Sequence, residues 1–216
     1  MNWLAHVLLS ESSSRFRVGN ILPDVLGMQS LASLALDYQR GIACHHAIDA
    51  FTDEHPIFAR SRGRFHEGYR RFSGILVDIF YDHLLAAEWR AHAGIPLGEF
   101  VAGFYDDIAT VRDELPEAIH ALLDHLRRED WLGSNVSLHG PRGALHRVER
   151  RLGWRVDLSG AVAVFERERG ALQEDFSAFF PDLAARVNAL GVRSPALAPD
   201  WAEHPNAATE SPLRWA

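Results

Sequence analysis

Residues 75–87 read ILVDIFYDHLLAA, and this stretch decides the fold class. Apart from the amphipathic Tyr81, its polar side chains are Asp78, Asp82 and His83. Apolar residues cover nearly the whole surface of such a helix, which predicts that it is buried. Asp78 and Asp82 lie one turn apart, about 40° from each other around the axis. Two buried carboxylates in a segment without Lys or Arg must be protonated, paired with a base from elsewhere, or bound to a metal.

The three- and four-residue spacing of apolar residues recurs along the chain, so we predict an all-α protein. We expect one helical-bundle domain over residues 1–191. Residues 192–216 hold four of the ten prolines and are expected to form a loosely packed tail. Ser159 is predicted to cap the last long helix, and Pro181 to kink or split it. The predicted helices span about 2–10, 37–54, 57–71, 74–92, 97–112, 116–129, 141–151 and 160–190.

The bulk composition is that of an ordinary globular protein, with 216 residues that are 47% hydrophobic and 24% charged. The single cysteine, Cys44, excludes a disulfide framework, and the N-terminal sequence lacks the basic region of a signal peptide. These features predict a cytoplasmic protein. No apolar run reaches the 18 or so residues of a membrane span. The net charge of −7 argues against nonspecific binding of nucleic acid.

A second apolar stretch places a histidine and a carboxylate on one face. Residues 41–51 read GIACHHAIDAF, in which His45 and Asp49 stand at i and i+4. Both can therefore reach one ion, and Asp53 extends the same side by another turn. The alternative is that the acidic residues pair with arginines elsewhere and that the histidines are satisfied core residues.

Two residues near the N-terminus belong to the same prediction. His6 is the ionisable side chain within the apolar run NWLAHVLL, and Asp24 follows the turn residues Gly19 and Asn20. Imidazole together with carboxylate is the ligand mixture that suits zinc, manganese and iron. One metal site would draw on two or three helices, as metal sites in helical bundles do.

Four sequence blocks, in their order and spacing, resemble the acyl carrier protein phosphodiesterase family. They are MNWLAH at 1–6, GNILPD at 19–24, GIACHHAIDAFTD at 41–53 and LVDIFYDHLLA at 76–86. The resemblance covers the first 90 or so residues, and beyond them it is a general helical pattern plus Trp131. It implies an all-helical, unusual branch of the His-Asp metal-dependent phosphohydrolase fold.

The resemblance also implies a divalent metal, most typically Mn²⁺ with Fe²⁺ or Zn²⁺ as alternatives, and removal of the 4′-phosphopantetheine arm from holo acyl carrier protein. This chain has no adjacent His-Asp pair and offers the reversed Asp82-His83 instead. Ala43 stands where some relatives carry a second histidine, which leaves one or two ions open. The implied metal ligands are Asp24, His45, Asp49, Asp78 and Asp82. His83 lies about 100° round the helix from Asp82 and is the first candidate for the general acid that protonates the serine leaving group, with His6 second. The alternative for both histidines is that they are metal ligands.

Acyl carrier proteins are strongly acidic, so the surface that binds one should be basic. Arginines cluster in residues 59–72, directly before the metal-bearing helix, and this cluster is the favoured partner surface. A second cluster lies at 146–155, and both clusters are alternatively solvated helix faces. The partner-binding residues of the favoured cluster are Arg60, Arg62, Arg64, Arg70 and Arg71.

Three other functions remain open at this stage. A phosphohydrolase acting on nucleotides or other small phosphate esters would be favoured by arginine and aromatic side chains beside the metal. A helical-bundle iron protein needs repeated Glu-x-x-His motifs, and the chain has a single match at 117–120. The last alternative is a structural helical protein with a buried polar network. The sequence leaves the oligomeric state open.

Overall fold

The computed structural model describes residues 2–198, and the regular elements of that range are all helices. The all-α prediction is confirmed, while the likeness to the His-Asp phosphohydrolase fold stays a prediction. None of the helices within 2–198 combines the length and the apolar character that a membrane crossing requires. The α-helices are α1 (Trp3–Leu8), α2 (Ser14–Gly19), α3 (Met28–Ala32), α4 (Leu36–Glu54), α5 (Pro56–Gly63), α6 (His66–Tyr69), α7 (Ser73–Ala87), α8 (Trp89–His92), α9 (Leu97–Val111), α10 (His120–Arg128), α11 (His139–Arg151) and α12 (Ala161–Ala189).

Helix α7 lies at the centre of the molecule, as its apolar sequence predicts. It packs against α1, α5, α11 and α12. Phe80 is fully buried between Phe65 and Phe165, with ring centroids 5.6 and 4.4 Å away. The hydroxyl of Tyr81 hydrogen bonds to Ser61 Oγ on α5 at 2.7 Å. The residues of α7 therefore meet protein on nearly every side, and its polar side chains must find partners inside the fold.

Helix α12 covers one side of α7 and differs from the prediction at both marked positions. Gly160 precedes the helix without a side-chain cap, because Ser159 Oγ donates instead to Asp157 at 2.6 Å. Pro181 lies inside the helix and does not split it. Phe179, Phe180 and other apolar residues around the proline are fully buried. Burial at about 1.5–3 kcal/mol for each large apolar side chain outweighs the hydrogen bond that proline removes.

Several boundaries also differ from the predicted ones. The predicted helix at 57–71 ends at Gly63, and a second break follows at Gly68, whose φ of 84° lies in the left-handed region. Helices α2 and α3 lie on either side of the predicted turn residues, between the predicted helices at 2–10 and 37–54, and no helix was predicted there.

Helices α2 and α4 approach so closely that they require glycine at the contact. A Cβ on Gly41 would lie 2.2 Å from the carbonyl oxygen of Phe16, and one on Gly19 would lie 2.6 Å from that of Tyr38. Either collision is with backbone, so the helices would have to move apart. This close packing brings Asn20, directly after α2, against His45 on α4.

The first seven residues of the predicted tail are packed rather than loose. Val192 and Ala196 are buried, and Ala93 and Leu197 form an antiparallel bridge. The amide of Gly94 donates to the carbonyl of Ala196 at 3.0 Å. The rest of the predicted tail, 199–216, lies outside the described residues.

Candidate metal centre

Two imidazoles from different helices meet on a single carboxylate. Asp49 Oδ1 lies 3.2 Å from His6 Nε2, and Asp49 Oδ2 lies 3.0 Å from His45 Nε2. The two imidazole rings stack with their centroids 4.4 Å apart. Both histidines are buried, whereas the side chain of Asp49 is 40% exposed. The two histidines therefore form the buried side of the cluster, and the Asp49 carboxylate forms its exposed side.

Asn20 fixes the orientation of both imidazoles from behind. His45 Nδ1 donates to the Asn20 main-chain carbonyl at 2.8 Å, since a carbonyl only accepts. The Asn20 amide nitrogen donates to the main-chain carbonyl of His6 at 2.8 Å, so Asn20 Oδ1 is the acceptor for His6 Nδ1 at 3.1 Å. Each Nδ1 therefore carries a hydrogen, so a neutral imidazole at either position presents its Nε2 lone pair to Asp49, and a protonated one donates to it.

The pKa shifts follow from this arrangement. Burial lowers the pKa of His6, so His6 is neutral at neutral pH. Burial also acts to lower the pKa of His45, but the adjacent Asp49 carboxylate outweighs it and raises that pKa. Burial opposes ionisation of Asp49, yet its contacts with His45 and His6 hold its pKa well below the usual range. Asp49 is consequently an anion facing at least one unprotonated nitrogen.

An anionic carboxylate and a nitrogen lone pair repel each other, and a cation bound between them would remove this repulsion. The ligand atoms of His6, His45 and Asp49 all lie within 4.8 Å of one another, a group that can hold a metal ion. A neutral imidazole whose far nitrogen donates to an oxygen is also the usual state of a metal-binding histidine. The residues present therefore fit a divalent metal.

Asp24 stands at the edge of this cluster. Its Oδ1 lies 3.9 Å from His45 Nε2, and its Oδ2 accepts a hydrogen bond of 2.7 Å from the indole of Trp3. Asp24 is the last residue of a short 3₁₀ turn, Leu22–Asp24, and its side chain is 45% exposed. The indole thereby holds a largely exposed carboxylate beside the histidines.

The cluster opens into a cleft of about 810 Å³ with walls of opposite charge. One wall carries the four predicted aspartates together with Asp53. The opposite wall comes from α11, which contributes Arg147, Arg150 and Arg151. Trp3 and Trp131 lie between them, with ring centroids 5.8 Å apart. The four predicted aspartates on the acidic wall are Asp24, Asp49, Asp78 and Asp82.

Asp82 has a structural task in addition to lining the cleft. Its two oxygens accept hydrogen bonds from the main-chain amides of Leu4 and Ala5 at 2.8 and 3.1 Å, in the first turn of α1. A carboxylate at this position satisfies amides that have no partner within the helix and interacts favourably with the helix dipole. Burial raises the pKa of Asp82 to about 7 despite these donors. The helix terminus accounts for this buried carboxylate without a metal.

His83 points away from the cluster and does not line the cleft. Its Nδ1 donates to the carbonyl of Asn135 at 2.7 Å, and its ring meets Phe165 edge-on. Among the described residues, His83 Nε2 is buried without a hydrogen-bond partner. Burial lowers the pKa of His83. The structure therefore brings His6 to the predicted centre but not His83, whose role as general acid gains no support from its position.

The favoured arginine cluster at 59–72 is used largely inside the fold. Arg60 Nη2 lies 2.5 Å from Asp175 Oδ1, and Arg64 Nε lies 3.1 Å from Asp175 Oδ2, while Asp175 itself is 2% exposed. Arg62 is half-buried, and Arg70 and Arg71 are exposed. None of these five arginines lines the cleft. The positions of Arg60 and Arg64 favour a role in stabilising the packing of α5 on α12.

Comparison with known proteins decides the family. The family model described as acyl carrier protein phosphodiesterase matches residues 1–183. The chain belongs to this family. A relative from Pectobacterium atrosepticum named acyl carrier protein phosphodiesterase is 29% identical over 182 residues, which cover 84% of this chain and 94% of the relative. A relative of the same name from Salmonella dublin is 28% identical over 188 residues, covering 87% and 97%. No solved structure matches the chain.

Membership of the acyl carrier protein phosphodiesterase family extends well beyond the four blocks of the N-terminal half. The later helices contribute to the candidate site, because Trp131 and the arginines of α11 form the second wall of the cleft. Sequence reasoning also missed Asn20, which stands in the block GNILPD and was assigned to a turn. A fully buried asparagine next to a predicted ligand segment carries no distinctive spacing, and only the packing of α2 on α4 reveals its task.

Proposed function

We propose that this chain hydrolyses the phosphodiester that joins 4′-phosphopantetheine to a serine of holo acyl carrier protein, giving the apo form. The observation that carries the proposal is the His6–His45–Asp49 cluster, which opens into a charged cleft in a chain of this family. The names of the curated relatives support the same reaction. The product of this hydrolysis retains its phosphate on the pantetheine, because the bond to the serine oxygen is the one that breaks.

The proposed cofactor is one divalent ion, with Mn²⁺ the first choice. His6, His45 and Asp49 would hold it, and Asp24, positioned by Trp3, would complete the set. Such an ion supplies positive charge to the phosphoryl oxygens and makes water a better nucleophile at neutral pH. Imidazole and carboxylate ligands suit Mn²⁺, Fe²⁺ and Zn²⁺ alike, so the choice of Mn²⁺ rests on the family.

The chain's own residues then have separate tasks. Asn20 holds the hydrogen of each neutral imidazole on Nδ1, which directs the Nε2 atoms of both histidines toward Asp49. The serine alkoxide that leaves needs a proton, and the donor must reach the cleft in its protonated state. Asp78 lines the cleft, and burial raises its pKa. We assign Asp78 as the general acid in place of His83 and His6.

Intact mass of the carrier protein tests the function directly. Holo acyl carrier protein is incubated with this protein and Mn²⁺, and conversion to the apo mass together with release of 4′-phosphopantetheine is expected. Asp49→Asn serves as the control and should leave the holo mass unchanged. An unchanged holo mass with the native protein, under conditions where it hydrolyses other phosphate esters, would contradict the proposal.

One observation favours a second candidate, a phosphohydrolase acting on nucleotides or small phosphate esters. The guanidinium of Arg147 lies over the ring of Trp131, 3.9 Å from its centroid, and Trp131 packs against Trp3 beside the cluster. An aromatic surface with an arginine is able to stack a base. Turnover of a nucleotide panel at rates above that of the holo carrier protein would make this the better assignment.

A further inference from the structure

The basic wall of the cleft is one continuous face of α11. Arg147 is followed by Arg150 at i+3 and Arg151 at i+4, so the three side chains share one side of the helix. Ala144 and Val148 complete the same lining. Arg147 is half-buried, whereas Arg150 and Arg151 are exposed at the rim. Positive charge therefore runs from inside the cleft outward over the end of α11.

Some arginines of the chain pair with a carboxylate, whereas among the described residues these three, like Arg70 and Arg90, do not. Arg15, Arg40 and Arg112, for example, each pair with a carboxylate. Within residues 2–198, Arg147, Arg150 and Arg151 form no salt bridge. The chain has 29 acidic residues against 22 basic ones, so acidic partners are not scarce. A row of unpaired arginines in an acidic protein is thus a surface kept open for an external anion.

A continuous set of contacts joins this face to the metal centre. The guanidinium of Arg147 lies over Trp131, and the ring of Trp131 packs on Trp3 at 5.8 Å between centroids. The indole of Trp3 donates to Asp24 beside His45. A ligand whose phosphodiester reaches the centre therefore has its flanking group against the arginines.

We propose that the α11 arginine face, defined as Arg147, Arg150 and Arg151, docks the acidic surface of the protein that carries the phosphodiester. This inference rests on the proposed function and adds the surface that selects the protein half of the substrate. A nucleotide would use Arg147 and Trp131 within the cleft. Arg150 and Arg151 line the cleft and are also exposed, so the positive charge reaches from the cleft to the outside of the molecule, where a protein surface can contact it.

Binding of apo acyl carrier protein tests the docking face without any chemistry. The double variant Arg150→Glu/Arg151→Glu is compared with Arg90→Glu/Arg142→Glu, which changes the net charge equally at two exposed arginines outside the cleft lining. We expect the dissociation constant to rise about tenfold or more in the first variant, or roughly 1.4 kcal/mol, and to change little in the control. The difference should shrink as salt is added.

Turnover of a small aryl phosphodiester with Mn²⁺ separates this inference from the proposed function. The Arg150→Glu/Arg151→Glu variant, called the rim variant, should lose much less turnover of this small substrate than of holo carrier protein, because the diester has no protein surface to dock. The Arg90→Glu/Arg142→Glu control should keep the native rate on both. Equal binding of apo carrier protein by the native protein and the rim variant, or no binding by either, would overturn the docking face. Loss of binding in the rim variant, with no conversion of holo carrier protein by the native protein, would keep the docking face and overturn the proposed reaction. Loss of nucleotide turnover alone in the rim variant would assign the face to a nucleotide and overturn the inference.

Discussion

Helices α4 and α7 both place histidine and aspartate among apolar residues, but their polar side chains go to different places. On α4, His45 and Asp49 stand one turn apart and meet His6 of α1 at a single point. On α7, the polar side chains diverge. Asp78 lines the cleft, Asp82 binds the first turn of α1, and His83 binds the carbonyl of Asn135.

The difference shows that a buried carboxylate can be stabilised in one further way, besides pairing with a base, protonation or metal binding. The amino end of another helix offers main-chain N–H donors and a favourable dipole, and Asp82 uses both. Asp49 finds imidazole nitrogens instead of amides, and these nitrogens also bind metals. The kind of donor that a carboxylate meets therefore separates the helix that offers a candidate metal site from the helix that supports the fold.

Of the residues compared, Asp49 should give the largest effect when it is substituted. Asp49→Asn replaces the shared anion by a neutral amide, so we expect loss of bound metal and a fall in turnover of holo carrier protein of about 10³-fold or more, roughly 4 kcal/mol. Metal content by mass spectrometry and turnover by intact mass measure the two effects. Full metal content in folded Asp49→Asn would move the centre elsewhere in the cleft.

The pattern of apolar residues predicts more of this structure than the identity of its polar residues does. The buried helix around 75–87 and the pairing of His45 with Asp49 follow from spacing alone, because both are properties of one helix. The tasks of Asp82, Asn20 and Arg60 do not, since each depends on a contact with a distant element. Leu4 is 78 residues from Asp82, and Asp175 is 115 residues from Arg60. No local period encodes such contacts.

Asp78 is the residue of α7 that we expect to behave as part of the active site. Asp78→Asn should retain the metal and lower turnover of holo carrier protein by about 10²-fold or more, the range of general acid catalysis. An aryl phosphodiester has a leaving group that needs little protonation, and its hydrolysis should fall much less. Equal losses on both substrates would exclude the general acid role and point to a role in binding or folding.

Asp82 should affect stability more than chemistry. Asp82→Asn keeps one acceptor for the amides of Leu4 and Ala5 and loses the other, which we expect to lower the free energy of unfolding by about 1–3 kcal/mol. Metal content of the folded variant should remain that of the native protein. Urea unfolding monitored by circular dichroism measures the first quantity, and loss of metal from the folded variant would instead make Asp82 a ligand.

The pH dependence of the same variant sharpens the test. Burial raises the pKa of Asp82 to about 7 in the folded protein, and an unfolded aspartate titrates near 3.9. Between these values the folded state holds one more proton than the unfolded chain, so this residue makes the native protein less stable as the pH rises. Asp82→Asn lacks that proton. Its stability deficit relative to the native protein should therefore be largest below about pH 4 and shrink toward pH 7, and a deficit that grows with pH would contradict the raised pKa.

His83 should give the smallest effect of the polar residues on α7, although its sequence position next to Asp82 marks it as a general acid. His83→Gln keeps a donor for the carbonyl of Asn135, so we expect turnover of holo carrier protein to fall less than about threefold and stability to fall by about 1 kcal/mol. Some effect is expected, because Asn135 lines the cleft and His83 holds its main chain. A buried imidazole outside the cleft has no path for its proton to reach a leaving serine.

The kinetic comparison with Asp78→Asn decides between the two residues. If His83→Gln loses about 10²-fold with its metal intact and spares the aryl diester, His83 is the acid, and α7 has to move His83 into the cleft when substrate binds.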